Sequence, residues 1–233
     1  MEIFDFFHWE MIWNYRELYA KGLLVTIGLT ACGYIGGIIL GLFLGLGQVS
    51  QKKWIYWPAK IYVDLFRGTP MLVQLLLIHL AVIPTIFGHG LGWWISGIVG
   101  LILNSAAYNA EIFRAGIQSI DKGQMEAARS LGLTHSQAMR KVILPQAFRR
   151  MIPPLGNEFI ALLKDSSLVT IIAGADILYV SKIVAGTYYR FWEPYLFAAF
   201  LYLILTYSAS KVITLIERKV DINYNPRKKK ERA

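Results

Sequence analysis

Charge is scarce in this chain of 233 residues: 17% are Asp, Glu, Lys or Arg, where a soluble domain carries roughly a quarter. Cysteine is almost missing, and the single Cys32 excludes an intrachain disulfide and a cysteine metal site. The four histidines, His8, His79, His89 and His135, are scattered without metal-ligand spacing, so no metal site is expected. No glycine is followed by lysine, which removes the G-x-x-x-x-G-K-[ST] phosphate-binding loop. A basic leader is missing too. Glu2, Asp5 and Glu10 precede the first basic residue, Arg16, with no apolar core before it, so a secretory signal is not expected.

What is abundant is apolar. Hydrophobic residues make up 55% of the chain, and windows of about 20 of them are long enough to cross a bilayer as helices. Five such spans are expected: Leu23–Gly47, Ile61–Ile86, Leu91–Ala115, Pro154–Ala175 and Tyr195–Ile213. Before them Phe4, Phe6, Phe7, Trp9, Trp13, Tyr15 and Tyr19 suggest an interfacial segment over residues 1–20, since aromatic rings favour the membrane boundary. Residues 21–215 form the membrane domain, and 216–233 a basic tail.

The net charge of +9 is explained by where the cations fall. Lys52, Lys53 and Lys60 follow the first span, and Lys122, Arg129, Arg140, Lys141, Arg149 and Arg150 follow the third. Arg218, Lys219, Arg227, Lys228, Lys229, Lys230 and Arg232 are in the tail. The connection after the second span has no Lys or Arg, and that after the fourth only Lys182 and Arg190. The positive-inside rule then puts the N-terminus outside and the C-terminus in the cytoplasm, and no nucleic-acid footprint is needed.

The long cytoplasmic connection, residues 117–150, carries local signals. Asp121 and Gln124 have capping-box spacing, Gly132 can end a helix in the left-handed conformation, and Thr134 with Gln137 forms a second box. The second helix is expected to stop near Leu144, before Pro145. A DNA-reading helix-turn-helix has this outline, but one held between two membrane spans could hardly enter a groove. In the first span Gly33, Gly37, Gly41 and Gly45 share one helix face. They allow close packing, within the subunit or against another.

Glu126–Ala127–Ala128, Gly132 and Val142–Ile143–Leu144–Pro145 resemble the EAA loop of ABC-importer permeases, with Val142 replacing the usual isoleucine. Further motifs look like the polar amino-acid branch, which includes histidine, arginine and glutamine permeases. They are Arg67–Gly68–Thr69–Pro70 with Gln74, Ala107–Tyr108–Asn109–Ala110–Glu111, Asn157–Glu158–Phe159 and Leu163–Lys164–Asp165–Ser166–Ser167–Leu168. The likeness covers roughly residues 20–215. It implies an all-α, five-span type I importer permease in the bacterial inner membrane, with a cytoplasmic coupling helix around Glu126, Ala127, Ala128 and Gly132. It also implies a separate ATPase pair that binds ATP and magnesium, an extracytoplasmic amino-acid-binding protein and a second permease copy, a homodimer before a heterodimer. The chain itself is then a transport subunit and not an enzyme, with no cofactor of its own.

Buried charge costs about 2.5–3.5 kcal/mol at mid-bilayer, so the polar groups within spans face a cavity or a partner. The candidates along a transport path are Gln74, Asn104, Tyr108, Glu111, Glu158, Lys164, Asp165 and Ser166. Asn104, Tyr108 and Glu111 share a helix face, as do Glu158 and Asp165. Asp64 and Arg67 can pair on one helix, and interhelical ion pairing is the plainer reading for Asp64, Arg67, Glu111 and Glu158. Asp165 or Ser166 could cap a restarted half-helix whose N-terminus meets a substrate carboxylate. The available acids favour a basic amino acid, with glutamine or another polar amino acid as the alternative. An ion-driven secondary transporter and a membrane-anchored regulator are rivals of other classes, and both leave the EAA spacing unexplained.

Overall fold

The computed structural model describes residues 8–220. Phe4, Phe6 and Phe7, and the tail cations Arg227 to Lys230 and Arg232, lie outside the described residues. The described chain is helical throughout: α1 Glu10–Asn14, α2 Arg16–Gln48, α3 Lys53–Arg67, α4 Met71–Phe87, α5 Gly92–Gln118, α6 Lys122–Ser130, α7 His135–Ile172, α8 Ile177–Tyr188 and α9 Trp192–Val220. The expected all-α membrane architecture holds, with five stretches (α2, α4, α5, α7 and α9) running along the bundle.

Glycine sets the central packing. A Cβ on Gly33, Gly37, Gly41 or Gly45 would stand 2.7 Å from the Cβ of Leu101, Ser105, Asn109 or Phe113 respectively. Only hydrogen fits there, so α2 and α5 press backbone to backbone. The pairs climb in step, so α2 and α5 are parallel. Of the two uses open to this stripe, packing within the subunit is the one realised. α4 runs the other way, since Gln74 meets Asn104 and His79 meets Ser96. α7 is also antiparallel to α5, with Gly97 against Val169 and Gly116 against Met151. Successive crossings therefore alternate. Leu29, Leu75, Leu101, Leu162 and Val169 join four of them in one core.

Several expected boundaries move. Among the described residues, α2 and α9 alone are long and apolar enough to cross a membrane unaided. α5 has the length, but Asn104, Asn109, Glu111 and Arg114 dilute it. The second span is not one helix from Ile61 to Ile86: α3 and α4 meet at 106°. Pro70 is extended (φ −65°, ψ 136°) and starts α4, so the chain turns at Gly68–Thr69–Pro70. Residues 61–67 thus belong to a helix lying across the axis of α4.

The fourth span begins far before Pro154. Helix continues from His135 through Pro145 to Ile172, so Pro145 does not end it. A π turn over Met139–Ile143 sits just before the proline, and the Leu144 amide reaches back to the Met139 carbonyl. The widened turn accommodates a ring that has no N–H to offer. The same device recurs at Ile78–Val82 before Pro84.

Candidate functional site

Two regions hold the chemistry-bearing residues: a polar face shared by α5 and α7, and the α6 loop at the bundle end.

On α5, Tyr108, Ala115 and Gln118 are exposed and Glu111 half-buried, at spacings of three and four that keep them on one face. On α7 the matching stripe is exposed Arg150, Pro154, Asn157 and Lys164, with half-buried Glu158, Ala161 and Asp165. A groove lined by Glu111, Ala115, Ser119, Arg150 and Pro154 joins the two helices, and Glu158 faces the Ser105 hydroxyl of α5. The face is thus continuous.

Its charges are arranged unevenly. Glu111 is held by Arg114 through two hydrogen bonds, one of them 3.0 Å from Nε, and Arg114 reaches on to Gln118. Arg67 approaches Glu111 at 3.7 Å and lies 5.6 Å over the Tyr108 ring. The expected Asp64–Arg67 pair does not form: Asp64 takes Lys60 at 2.9 Å, one helical turn back, which frees Arg67 for α5. Among the described residues, Glu158, Lys164 and Asp165 enter no ion pair within 4.0 Å.

The structure separates the sequence candidates into two sets. Tyr108, Glu111, Glu158, Lys164 and Asp165 lie on the polar face. Gln74, Asn104 and Ser166 are turned inward. Gln74 donates to the Phe66 carbonyl at 2.7 Å and to the Thr69 carbonyl and hydroxyl at 2.9 and 2.8 Å, while its Oε1 accepts from Asn104 at 2.8 Å. This amide clamps the α3–α4 corner and ties it to α5. The Ser166 hydroxyl donates to the Leu163 carbonyl at 2.7 Å.

No helix restarts at Asp165 or Ser166. Asp165 stays helical (φ −68°, ψ −21°) without a side-chain cap, and the helix tightens into a 3₁₀ turn over Ser166–Ile172. The chain breaks later, at Ala173, which is left-handed at φ 62°. Asp176 then caps α8: its carboxylate accepts from the Tyr179 amide at 2.9 Å, Thr170 at 2.6 Å and Tyr202 at 2.9 Å. Sequence reasoning missed this fully buried acid, although Gly174 and an Asp just before an apolar run are a helix-start signal.

The loop is built as its caps dictate. Asp121 accepts from the Gly123 amide at 2.7 Å. The reciprocal half of that box is absent, because the Gln124 side chain accepts from Gln146 at 3.3 Å instead. Gly132 adopts φ 85°, and the Leu133 and Gly132 amides close a Schellman motif on Ala128 and Arg129. The Thr134–Gln137 box is complete. Glu126 and Ala127 face out, whereas Ala128 is buried against its own chain. Leu131, 84% exposed at the tip, was missed, although it is a large apolar residue in a polar stretch.

A family model described as binding-protein-dependent transport system inner membrane component matches residues 37–222. The arginine transport system permease protein ArtQ of Bacillus subtilis (strain 168) is 36% identical over 203 residues, covering 87% of this chain and 92% of that protein. The probable glutamine ABC transporter permease protein GlnM of the same strain is 36% identical over 215 residues, covering 92% and 99%. A solved structure described as an amino acid ABC transporter with histidines superposes at a TM-score of 0.86 and 43% identity, over 91% of this chain and 99% of that one.

Proposed function

The chain belongs to the binding-protein-dependent transport system inner membrane component family, and from that premise we propose that it is one wall of an ATP-driven import path for basic amino acids. It is an amino-acid permease of importer type, a transport component of the bacterial inner membrane and not an enzyme. Membership implies an ATPase and a substrate-binding protein as partners. ATP and magnesium then belong to the ATPase.

The observation that carries the mechanism is the continuity of α7. One helix runs from His135, beside the loop, past Glu158, Lys164 and Asp165 on the polar face, to Ile172. A pull on the α6–α7 turn is thereby delivered to the path as motion of one rod. Glu126, Ala127 and Leu131 form the surface offered to the ATPase, and Gly132 sets the angle between the two helices. Closure of the ATPase pair on ATP draws two such loops together and opens the paired polar faces outward. Hydrolysis returns them inward. The loop lies in the cytoplasm, the N-terminal segment outside and the basic tail inside, in keeping with the distribution of Lys and Arg.

A charged face cannot be left to lipid. A second copy related by a two-fold axis would cover it and enclose a path that one copy leaves open. Within that path the Glu158 and Asp165 carboxylates enter no ion pair within 4.0 Å among the described residues, whereas Glu111 is neutralised by Arg114. Two open acids suit a cationic side chain and an α-amino group, with Lys164 near the α-carboxylate. Likeness to a probable glutamine permease supports a second reading, in which the same groups hydrogen-bond a neutral amide.

Competition between labelled arginine and unlabelled lysine, histidine and glutamine separates the two readings. Under the basic reading, Glu158→Gln and Asp165→Asn each weaken arginine uptake at least about tenfold, the loss of one charge-assisted contact, and glutamine competes poorly. Preferred uptake of glutamine, unchanged in both variants, would contradict it.

A further inference from the structure

α3 presents three faces, and the other described residues cover only one. Ala59 and Val63 are buried, and the Tyr62 hydroxyl donates to the Leu103 carbonyl of α5 at 2.8 Å, so that face is packed on the bundle. On the opposite side Trp54, Trp57, Ile61 and Leu65 recur at helical spacing and are 73%, 53%, 61% and 59% exposed. At 3.6 residues per turn they fall within about 80° of one another. Along one flank, between these two faces, run Lys53, Lys60, Asp64 and Arg67.

The 106° bend at the corner lays α3 across the axis that α4 follows. A helix in that attitude points its apolar face sideways and its charged flank toward one end of the bundle, the geometry of a helix lying in a membrane interface. Four adjacent large apolar side chains need cover that the described residues do not supply. The flank carries an excess of cations as well. Lys60 is taken by Asp64 at 2.9 Å, and Arg67 turns to Glu111. Lys52 and Lys53 enter no ion pair among the described residues, and the Lys52 ammonium lies 5.9 Å from the Trp54 ring centre. Both are exposed and open to a counter-charge from outside the described residues.

We propose that α3 is an in-plane anchor that binds anionic phospholipid headgroups through Lys52 and Lys53, with Trp54, Trp57, Ile61 and Leu65 among the acyl chains. The lipids are those of the leaflet on the loop side, which is the cytoplasmic one in the orientation proposed above. Lipid binding does not depend on that orientation or on transport, so the two can fail separately.

The full chain is placed in nanodiscs of equal parts phosphatidylglycerol and phosphatidylcholine, extracted in mild detergent, and its retained lipids are measured by mass spectrometry. Phosphatidylglycerol is enriched on the wild type. The Lys52→Gln/Lys53→Gln variant loses about 25-fold of that enrichment, at roughly fivefold per unpaired lysine. Lys182→Gln, on α8, keeps it. No preference in the wild type, or equal enrichment in the double variant, overturns the proposal. A second measurement asks what covers the apolar face, using Ile61→Cys in a Cys32→Ser chain. Labelling by a membrane-soluble maleimide without disulfide dimers supports lipid. Efficient dimers through position 61 would put a second copy there instead and overturn it.

Discussion

Gly41 and Gly186 are both helical glycines, and their surroundings demand opposite outcomes on substitution. A Cβ at Gly41 would stand 2.7 Å from Asn109 Cβ and 2.8 Å from the Ala106 carbonyl, whereas nothing lies within 4 Å at Gly186. Gly41→Leu forces α2 and α5 apart. It should cost about 1–3 kcal/mol, a fall of roughly 5 °C in the thermal midpoint of the purified protein. Gly186→Ala should leave the midpoint unchanged or raise it, because alanine is the better helix former by up to about 1 kcal/mol. Gly132 differs again: it has open space but φ 85°, so the constraint there is conformational. Gly132→Val is strained by about 1–2 kcal/mol in the left-handed region, while Asn tolerates it. Co-purification of the ATPase should therefore fail with Gly132→Val and survive Gly132→Asn. Loss in both would assign the effect to side-chain bulk instead.

At the scale of elements, the α3–α4 corner rests on one amide. Gln74→Leu leaves the Asn104 amide and two corner carbonyls without their present partner, at about 1–3 kcal/mol for each group that water cannot reach. Limited proteolysis should then cut near Thr69, where the wild type resists. Equal resistance would mean that the turn holds without the clamp. This corner was not legible in the sequence. A hydropathy window averages across Arg67–Pro70, and nothing in composition tells a straight span from a bent one. Caps were legible, because Thr134 and Gln137, or Gly132, act within one turn of themselves. Pro145 was misread as a stop for a related reason. Its missing N–H is a local fact, but the π turn that absorbs it is held by packing of Met139, Ile143 and Ala147 on Phe113 and Ile117, which are distant in sequence. Helical spacing grouped Asn104 with Tyr108 and Glu111, but a partner helix drew Asn104 inward to Gln74.

At the scale of the whole molecule, the described residues display a polar face on α5 and α7 beside many exposed large apolar side chains. That imbalance is the reason for proposing a second copy. α7 connects the face to the loop, and in the mechanism proposed above it ties movement of substrate to a partner at the loop. A rod of this kind predicts that path and loop cannot be uncoupled by softening the connection without losing transport. Two glycines placed at Phe148 and Arg149, both exposed, should abolish uptake while the ATPase still binds. Retained uptake would mean that force travels by another route.

The most direct measurement is uptake of labelled arginine into proteoliposomes holding this chain, its ATPase and its binding protein, with and without ATP. Accumulation should require ATP and all three components, and should vanish with Gly132→Val. Accumulation driven by an ion gradient, with no ATPase present, would make the open carboxylates ion-coupling groups and contradict the importer account.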